Sequence, residues 1–162
     1  MIEITGDLFR SVKADAICIT TNGCVKKDGT NVMGAGCAKE ATKRWPGISK
    51  RVATGLAFGN TPQLLTVKNM EGGFILPTES KTYLVPYHIM TFPTKENWKD
   101  PSDLDLIKRS ACKLREFADD FEWDSVVIPR PGCGLGQLSW EKDVQPLLAP
   151  ILDDRFWIIT FA

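Results

Sequence analysis

Two glycine-rich loops and one lysine carry most of the chemistry open to this sequence. The first loop, Val32-Met33-Gly34-Ala35-Gly36-Cys37-Ala38, comes shortly after the apolar run Ala16-Ile17-Cys18-Ile19. The second, Pro131-Gly132-Cys133-Gly134-Leu135-Gly136-Gln137-Leu138, directly follows Ser125-Val126-Val127-Ile128. Each follows a β-like run and leads into a helix-like stretch. Glycine at such a turn lets backbone N–H groups approach an anion, and the helix N-terminus behind it adds a favourable dipole. Two such loops far apart in the chain read as two walls gripping a diphosphate. Lys95 lies in Phe92-Pro93-Thr94-Lys95, a stiff segment that can aim a long side chain into a cleft. A desolvated lysine can lose its proton near neutral pH and attack an anomeric carbon, or form a Schiff base with an opened sugar. An ordinary surface lysine beside Glu96 is the alternative.

Other candidate chemistries are excluded or reduced. The first loop lacks Gly-Lys-Ser/Thr, so it is no nucleoside triphosphatase loop. The second partly matches a dinucleotide fingerprint, but only one strand remains after it, whereas that fingerprint follows a first strand. Cys37 and Cys133 lie inside the loops; with His88 the chain's single histidine, they read as packing residues and not nucleophiles. His88 itself reads as a strand residue. The five cysteines include no CxxC pair, which argues against a zinc site and for reduced thiols. Neither metal nor cofactor is expected.

The elements that must position these residues alternate between strands and helices. Ile2-Glu3-Ile4 opens, and Asp15 to Ile19 reads as a buried strand. Helical stretches are expected from about Gly36 to Trp45 and from Ile48 to Phe58, with Pro46-Gly47 between them. Gln63 to Lys68 and Thr82 to Ile89 read as strands separated by the polar segment Asn69 to Lys81. Ile107, Ala111, Leu114, Phe117 and Phe121 recur at helical period, and Ser102 with Asp105 forms a capping-box-like start after Pro101. Ser125 to Ile128 is a short strand, Ser139 caps a helix to about Leu152 made irregular by Pro146 and Pro150, and Arg155 to Phe161 closes. Residues 1–162 are expected to form one α/β domain with a mixed sheet between helices.

Composition sets bounds. Of 162 residues, 43% are hydrophobic and 25% charged, with 20 Lys+Arg against 20 Asp+Glu and a formal net charge of +0. No global field draws such a chain onto nucleic acid or an anionic membrane, although a local basic cleft is compatible with it. The sequence shows neither a leader pattern nor a membrane-length apolar run, so a cytoplasmic monomer without membrane contact is expected.

Taken together, these residues resemble the macro domain family, the ADP-ribose-binding α/β/α sandwiches. Gly6-Asp7-Leu8 is similar to the family's opening Gly-Asp-Ile/Leu, and Asp15 to Asn22 to its second strand ending in Asn. Both glycine loops, the second with Pro129-Arg130 before it and Leu138-Ser139-Trp140-Glu141 after it, resemble those of one branch. Phe92 to Trp98 resembles the lysine-bearing segment of the DNA ADP-ribosyl glycohydrolase antitoxins in that branch, which also holds the human terminal ADP-ribose protein glycohydrolase. The resemblance implies a three-layer α/β/α sandwich with a mixed central sheet. It implies that Asp7 accepts from the adenine amino group while the Leu8 N–H reads a ring nitrogen. Asn22 would reach a ribose hydroxyl, with turn formation beside Gly23 as the alternative. Val32, Met33, Gly34, Ala35 and Gly36 would hold the diphosphate on one side, and Gly132, Cys133, Gly134, Leu135 and Gly136 on the other.

Lys95 takes the place of the catalytic lysine. The implied partner is ADP-ribose or an ADP-ribosylated substrate, including ADP-ribosylated DNA. One departure is Gly136, which stands where the human enzyme has a catalytic aspartate, so the resemblance points to a nucleobase linkage over a glutamate one. The polar segment Cys24 to Asn31 could cover the distal ribose, and its Asp28 could supply an acid. A non-catalytic ADP-ribose-binding module is the competing expectation.

Overall fold

The computed structural model describes residues 1–10, 13–66 and 88–161. Its strands are β1 (Ile2–Thr5), β2 (Ala16–Asn22), β3 (Leu64–Thr66), β4 (His88–Lys95), β5 (Val126–Pro129) and β6 (Phe156–Thr160). The helices are α1 (Gly36–Arg44), α2 (Ile48–Gly55), α3 (Leu104–Asp120) and α4 (Gln145–Leu148). A 3-10 turn at Leu56–Phe58 follows α2, and a π-helical turn at Trp140–Val144 precedes α4.

The six strands form one sheet in the order β1-β6-β5-β2-β4-β3. Every neighbouring pair is parallel except β3 and β4, which makes the sheet mixed. Side chains alternate between faces along a strand, so a strand covered on both sides must be apolar throughout. β2 shows this directly: Ala16 and Cys18 join one buried cluster, Ile17 and Ile19 the other. The first cluster packs beneath α3, the π-turn and α4 through Ile107, Leu114, Trp140 and Leu148. The second takes Ala38 and Ala41 of α1 and Ile48 and Val52 of α2. The result is the three-layer α/β/α sandwich.

Several boundaries differ from the sequence expectation. α3 begins one residue late for a Ser102 cap: Asp103 is the cap, its carboxylate accepting from Asp105 N at 2.8 Å and Leu106 N at 3.2 Å. Ser102 instead donates its backbone N–H to the Gly136 carbonyl at 3.0 Å. Phe121 leaves the helical face, stays 48% exposed, and stacks on Trp123 at 5.5 Å. The helix expected from Ser139 to Leu152 is divided: Ser139 Oγ accepts from Lys142 N at 3.3 Å to start the π-turn, and Pro146 falls in the first turn of α4. The strand expected from Thr82 lies outside the described residues as far as Tyr87, as do Lys68 and the segment Asn69 to Lys81.

β4 runs on to Lys95 through Pro93, which pairs with Thr21 of β2. Thr91, two residues earlier and so aimed to the same side, donates its N–H to Gln63 O at 3.0 Å. By Pro93 that side has run past the end of β3, so a missing N–H breaks no ladder bond.

Candidate functional site

Asp7, Leu8, Asn22, Lys95 and the ten loop residues expected to hold the diphosphate all line one cleft. Its volume, about 1450 Å³, exceeds the roughly 300–1,000 Å³ usual for a small-ligand site. The cleft lies at the C-terminal ends of the parallel strands, where β1 leads to Asp7, β2 to Asn22, β4 to Lys95 and β5 to the second glycine loop. Ligands of open α/β sheets gather at such strand ends.

The first wall is α1 and the loop before it. Ala35 is the helix N-cap in extended conformation (φ −146°, ψ 164°) and supplies no capping side chain, which leaves the first-turn N–H groups to the cleft. A Cβ placed on Gly34 would meet nothing within 4 Å, so the space there is open.

Asn22 and Asn31 shape that loop. Asn22 Nδ2 donates to Val32 O at 2.8 Å, and Asn22 Oδ1 accepts from Cys24 N at 3.0 Å. These bonds brace the turn beside Gly23, and Asn22 also lines the cleft where a ribose hydroxyl would lie. Asn31, 1% exposed, donates to Cys24 O at 2.8 Å and Asn22 O at 2.9 Å. Sequence reasoning passed over Asn31, although an Asn before an apolar-glycine loop is a turn-locking residue by type.

The intervening polar segment is a small hairpin closed by Lys26 N to Thr30 O at 2.7 Å. Asp28 sits in that turn, accepting from Thr30 N at 3.0 Å and Thr30 Oγ1 at 2.6 Å, and does not border the cleft. Those Thr30 hydrogen bonds hold its carboxyl below the usual range, which suits an anion and not the acid expected of it.

The second wall is tightly folded. Gly132 has φ +77°, and its carbonyl accepts from Leu138 N at 3.0 Å. A Cβ there would come within 2.8 Å of Leu138 Cδ1. At Gly136 a Cβ would overlap Ser102 Oγ and the Gly132 carbonyl oxygen, so the position cannot carry an aspartate in this packing. Gly134 is open, like Gly34. Burial pushes the Cys133 thiol up to about 11 and raises Cys37 as well, whose Sγ lies 3.3 Å from Thr20 Oγ1. Thiols held protonated in this way pack and do not attack.

Lys95 stands where the walls meet. Its carbonyl accepts from Gly23 N at 3.1 Å and Asn60 Nδ2 at 3.1 Å, which fixes the backbone. Its Nζ donates to Asp100 O at 2.8 Å. His88 begins the same strand, roughly 23 Å away by strand rise, and packs on Trp123 with ring centroids 5.3 Å apart. Burial depresses its basicity, partly offset by Asp15. Lys26 and Lys27 do not line the cleft.

At the other end, Asp7 Oδ1 accepts from Phe9 N at 2.8 Å, and Arg10 Nε lies 3.9 Å from Asp7 Oδ2. Sequence reasoning assigned no cleft role to Phe161, Arg130, Trp98 or Ser102, all of which line it. Arg130 donates to Glu3 at 2.8 Å, and Trp140 Nε1 donates to the same carboxylate at 3.2 Å, which ties the second loop to β1. Arg10, Lys39, Arg44, Lys95 and Arg130 outnumber Asp7, Glu40 and Glu141 along the cleft. A chain of zero net charge thus carries a basic groove, suited to a diphosphate. Among the described residues, no group of three or more His, Cys, Asp or Glu could hold a metal ion, and no helix is long and apolar enough to cross a membrane.

No family model matches the chain. The DNA ADP-ribosyl glycohydrolases of Mycobacterium bovis (strain BCG / Pasteur 1173P2) and Mycobacterium tuberculosis (strain ATCC 25618 / H37Rv) are each 31% identical over 145 residues, covering 90% of this chain. The chain spans 37% of the length of those curated relatives. Among solved structures, the macrodomain of Mycobacterium tuberculosis DarG superposes with TM-score 0.71 at 26% identity, covering 98% of this chain and 95% of that one. The macrodomain of Thermus aquaticus DarG gives TM-score 0.73 at 19% identity over 99% and 97%. Thermosipho africanus DarTG in complex with ADP-ribose gives 0.70 at 21% over 93% and 38%. With the strand order, the two loops and the lysine segment in place, the chain belongs to the macro domains, in the branch of the DarG macrodomains.

Proposed function

We propose that this chain hydrolyses the bond between ADP-ribose and a modified base or side chain, with Lys95 acting at the distal ribose and a nucleobase of DNA as the preferred acceptor. The observation that carries it is the convergence of Lys95, an uncapped helix N-terminus and a second glycine loop on one basic cleft. In this reading the diphosphate lies between Gly34 and Gly134, where both positions are open. The adenine amino group faces Asp7, and the distal ribose extends toward Lys95. The relatives' name, DNA ADP-ribosyl glycohydrolase, supports the choice of acceptor.

The chemistry balances with one water. Lys95 Nζ leaves the Asp100 carbonyl and bonds to C1″, the bond from C1″ to the base breaks, and a proton passes from Nζ to the departing base nitrogen. Water then replaces the lysine, its hydroxyl going to C1″ and a proton returning to Nζ. Gly136 brings no carboxylate to this step, so the aspartate that the resembling human enzyme adds to its lysine is missing.

The test is turnover of an ADP-ribosylated oligonucleotide beside glutamate-, serine- and arginine-linked substrates. Lys95→Ala should lose turnover by at least about a hundredfold, within the range for removing a covalent catalyst, yet keep ADP-ribose affinity within about tenfold. Lys95→Arg should be equally inactive, because a guanidinium keeps its charge and cannot attack. Wild-type turnover by Lys95→Arg would reduce the lysine to an electrostatic contact. Failure of the unsubstituted chain to cleave any of the substrates would leave a binding module.

A further inference from the structure

Trp98 is out of place for a structural tryptophan. Of the chain's five tryptophans, Trp123 and Trp140 are 4% exposed, whereas Trp98 is 52% exposed and borders the cleft. Burying an indole is strongly favourable, so one left half in water at the mouth of a cleft has contact area to give to a partner.

The turn that carries it is rigid. Asn97 O accepts from Asp100 N at 3.1 Å, and Asn97 Oδ1 accepts from Lys99 N at 3.1 Å. Lys95 Nζ adds a bond to Asp100 O at 2.8 Å, which it gives up in the step above, so the turn rests on the two Asn97 bonds. Trp98 thus sits at the tip of a braced loop that begins at the proposed catalytic lysine. The Lys99 ammonium lies 5.4 Å from the indole centroid, which places positive charge on one side of the ring. Leu135, at the tip of the second glycine loop, is 75% exposed and borders the same cleft.

We infer that Trp98 is the stacking platform for the nucleobase that carries ADP-ribose, with Leu135 as a second apolar contact and Lys99 placed for the adjoining backbone phosphate. This rests on the reading above that the acceptor is a nucleobase. A flat, exposed indole beside a cation fits a base and its phosphate: every base has a π-face to stack, and the strand is anionic. The geometry also selects the state of the substrate. A base held in a duplex has both faces covered by its neighbours, so only an unpaired or extruded one can reach the indole.

The test compares binding of a single-stranded oligonucleotide ADP-ribosylated on one base with binding of free ADP-ribose, both to Lys95→Ala protein so that nothing is cleaved. The modified oligonucleotide should bind tighter than ADP-ribose by about tenfold or more, the scale of one stacked base. Adding Trp98→Ala should remove that gain and leave ADP-ribose affinity within about twofold, which also certifies that the variant is folded. Trp98→Phe should keep most of the gain. Tryptophan fluorescence should be quenched by the modified oligonucleotide in protein with Trp98 and not in Trp98→Phe, and annealing the complementary strand should abolish the quench.

A gain that survives Trp98→Ala overturns the platform. An equal loss for free ADP-ribose also overturns it, placing Trp98 on the ADP-ribose moiety itself. The two readings fail separately. A Trp98-dependent gain without turnover by the unsubstituted chain supports the platform and removes the hydrolase. Turnover with a gain indifferent to Trp98 does the reverse.

Discussion

The two glycine loops look alike in sequence and differ in what their glycines are for. In the first, Gly34 faces open space, and a side chain there would project into the cleft. In the second, Gly134 is open in the same way, but Gly132 and Gly136 are closed in by protein: Leu138, Ile107 and Ser102 around one, Ser102 and the Gly132 carbonyl around the other. Glycine leaves room for a ligand at the first two positions and lets two segments of the chain touch at the second two. The proximity of α3 to the second loop depends on that contact, since Ser102 N donates to Gly136 O one residue before the Asp103 cap.

The strongest way to break this comparison is to exchange the roles. Gly136→Asp would force a carboxylate into the closed position, so it should destabilise the fold by ~3 kcal/mol, the upper range for overpacking, and gain no activity. Urea unfolding measures the first part; unchanged stability would mean that the second loop is as open as the first. Gly34→Val and Gly134→Val should do the opposite. Stability should change by no more than about 0.5 kcal/mol, while ADP-ribose affinity falls about a hundredfold, equivalent to roughly 2.7 kcal/mol. Calorimetry beside urea unfolding separates the two outcomes.

Asp7→Ala sharpens the comparison at the cleft's far end and should have a smaller effect. Loss of a charge-assisted hydrogen bond to adenine should cost roughly 1–3 kcal/mol of ADP-ribose affinity, with ribose phosphate hardly affected. Because Asp7 Oδ1 also holds Phe9 N, an equal loss for both ligands would assign the aspartate to loop support.

A control outside both loops should give the smallest effect. Arg155 grips the Asp153 carboxylate through Nε and Nη2 at 3.0 and 2.9 Å and lowers its pKa from 3.8 to about 2. The folded-state value is depressed, so this contribution is present in full above pH 3.8 and fades as pH falls toward 2. Asp153 is 38% exposed, and screening keeps the contribution near ~0.5 kcal/mol. Asp153→Asn should flatten the stability profile in that window and leave ligand affinity unchanged.

What the sequence disclosed follows from which signals are local. Strand-to-glycine-to-helix transitions are written in adjacent residues, so both loops and their place in the cleft were legible. So was the apolar β2, where burial on both faces removes any alternation. α3 was legible along its length through Ile107, Ala111 and Leu114, but not at its start. Ser102 and Asp103 are both good caps by type, and only the second loop, which recruits Ser102, decides between them. Pro93 hid the continuation of β4, because its tolerance depends on where β3 ends. Asn22 was legible as a residue of the cleft, whereas its bonds with Val32 and Asn31 join segments ten and nine residues apart and are not written in adjacent residues. Trp98 could be read as part of a motif, but its exposure follows from a turn closed by Asn97, a three-dimensional fact.

The strand order also governs when the cleft can exist. β1 is an edge strand whose single neighbour is β6, paired from Ile2 with Trp157 to Thr5 with Thr160, and Gly6 N donates to Thr160 O at 2.8 Å. The turn bearing Asp7 therefore hangs from a contact between the two most distant strands of the sequence. Contacts of that separation carry the largest loop-closure cost and form slowly. The Asp7 end of the cleft thus depends on the longest loop closure among the strand pairs. A ligand seated against it favours the native state, yet finds nothing to hold in the unfolded chain.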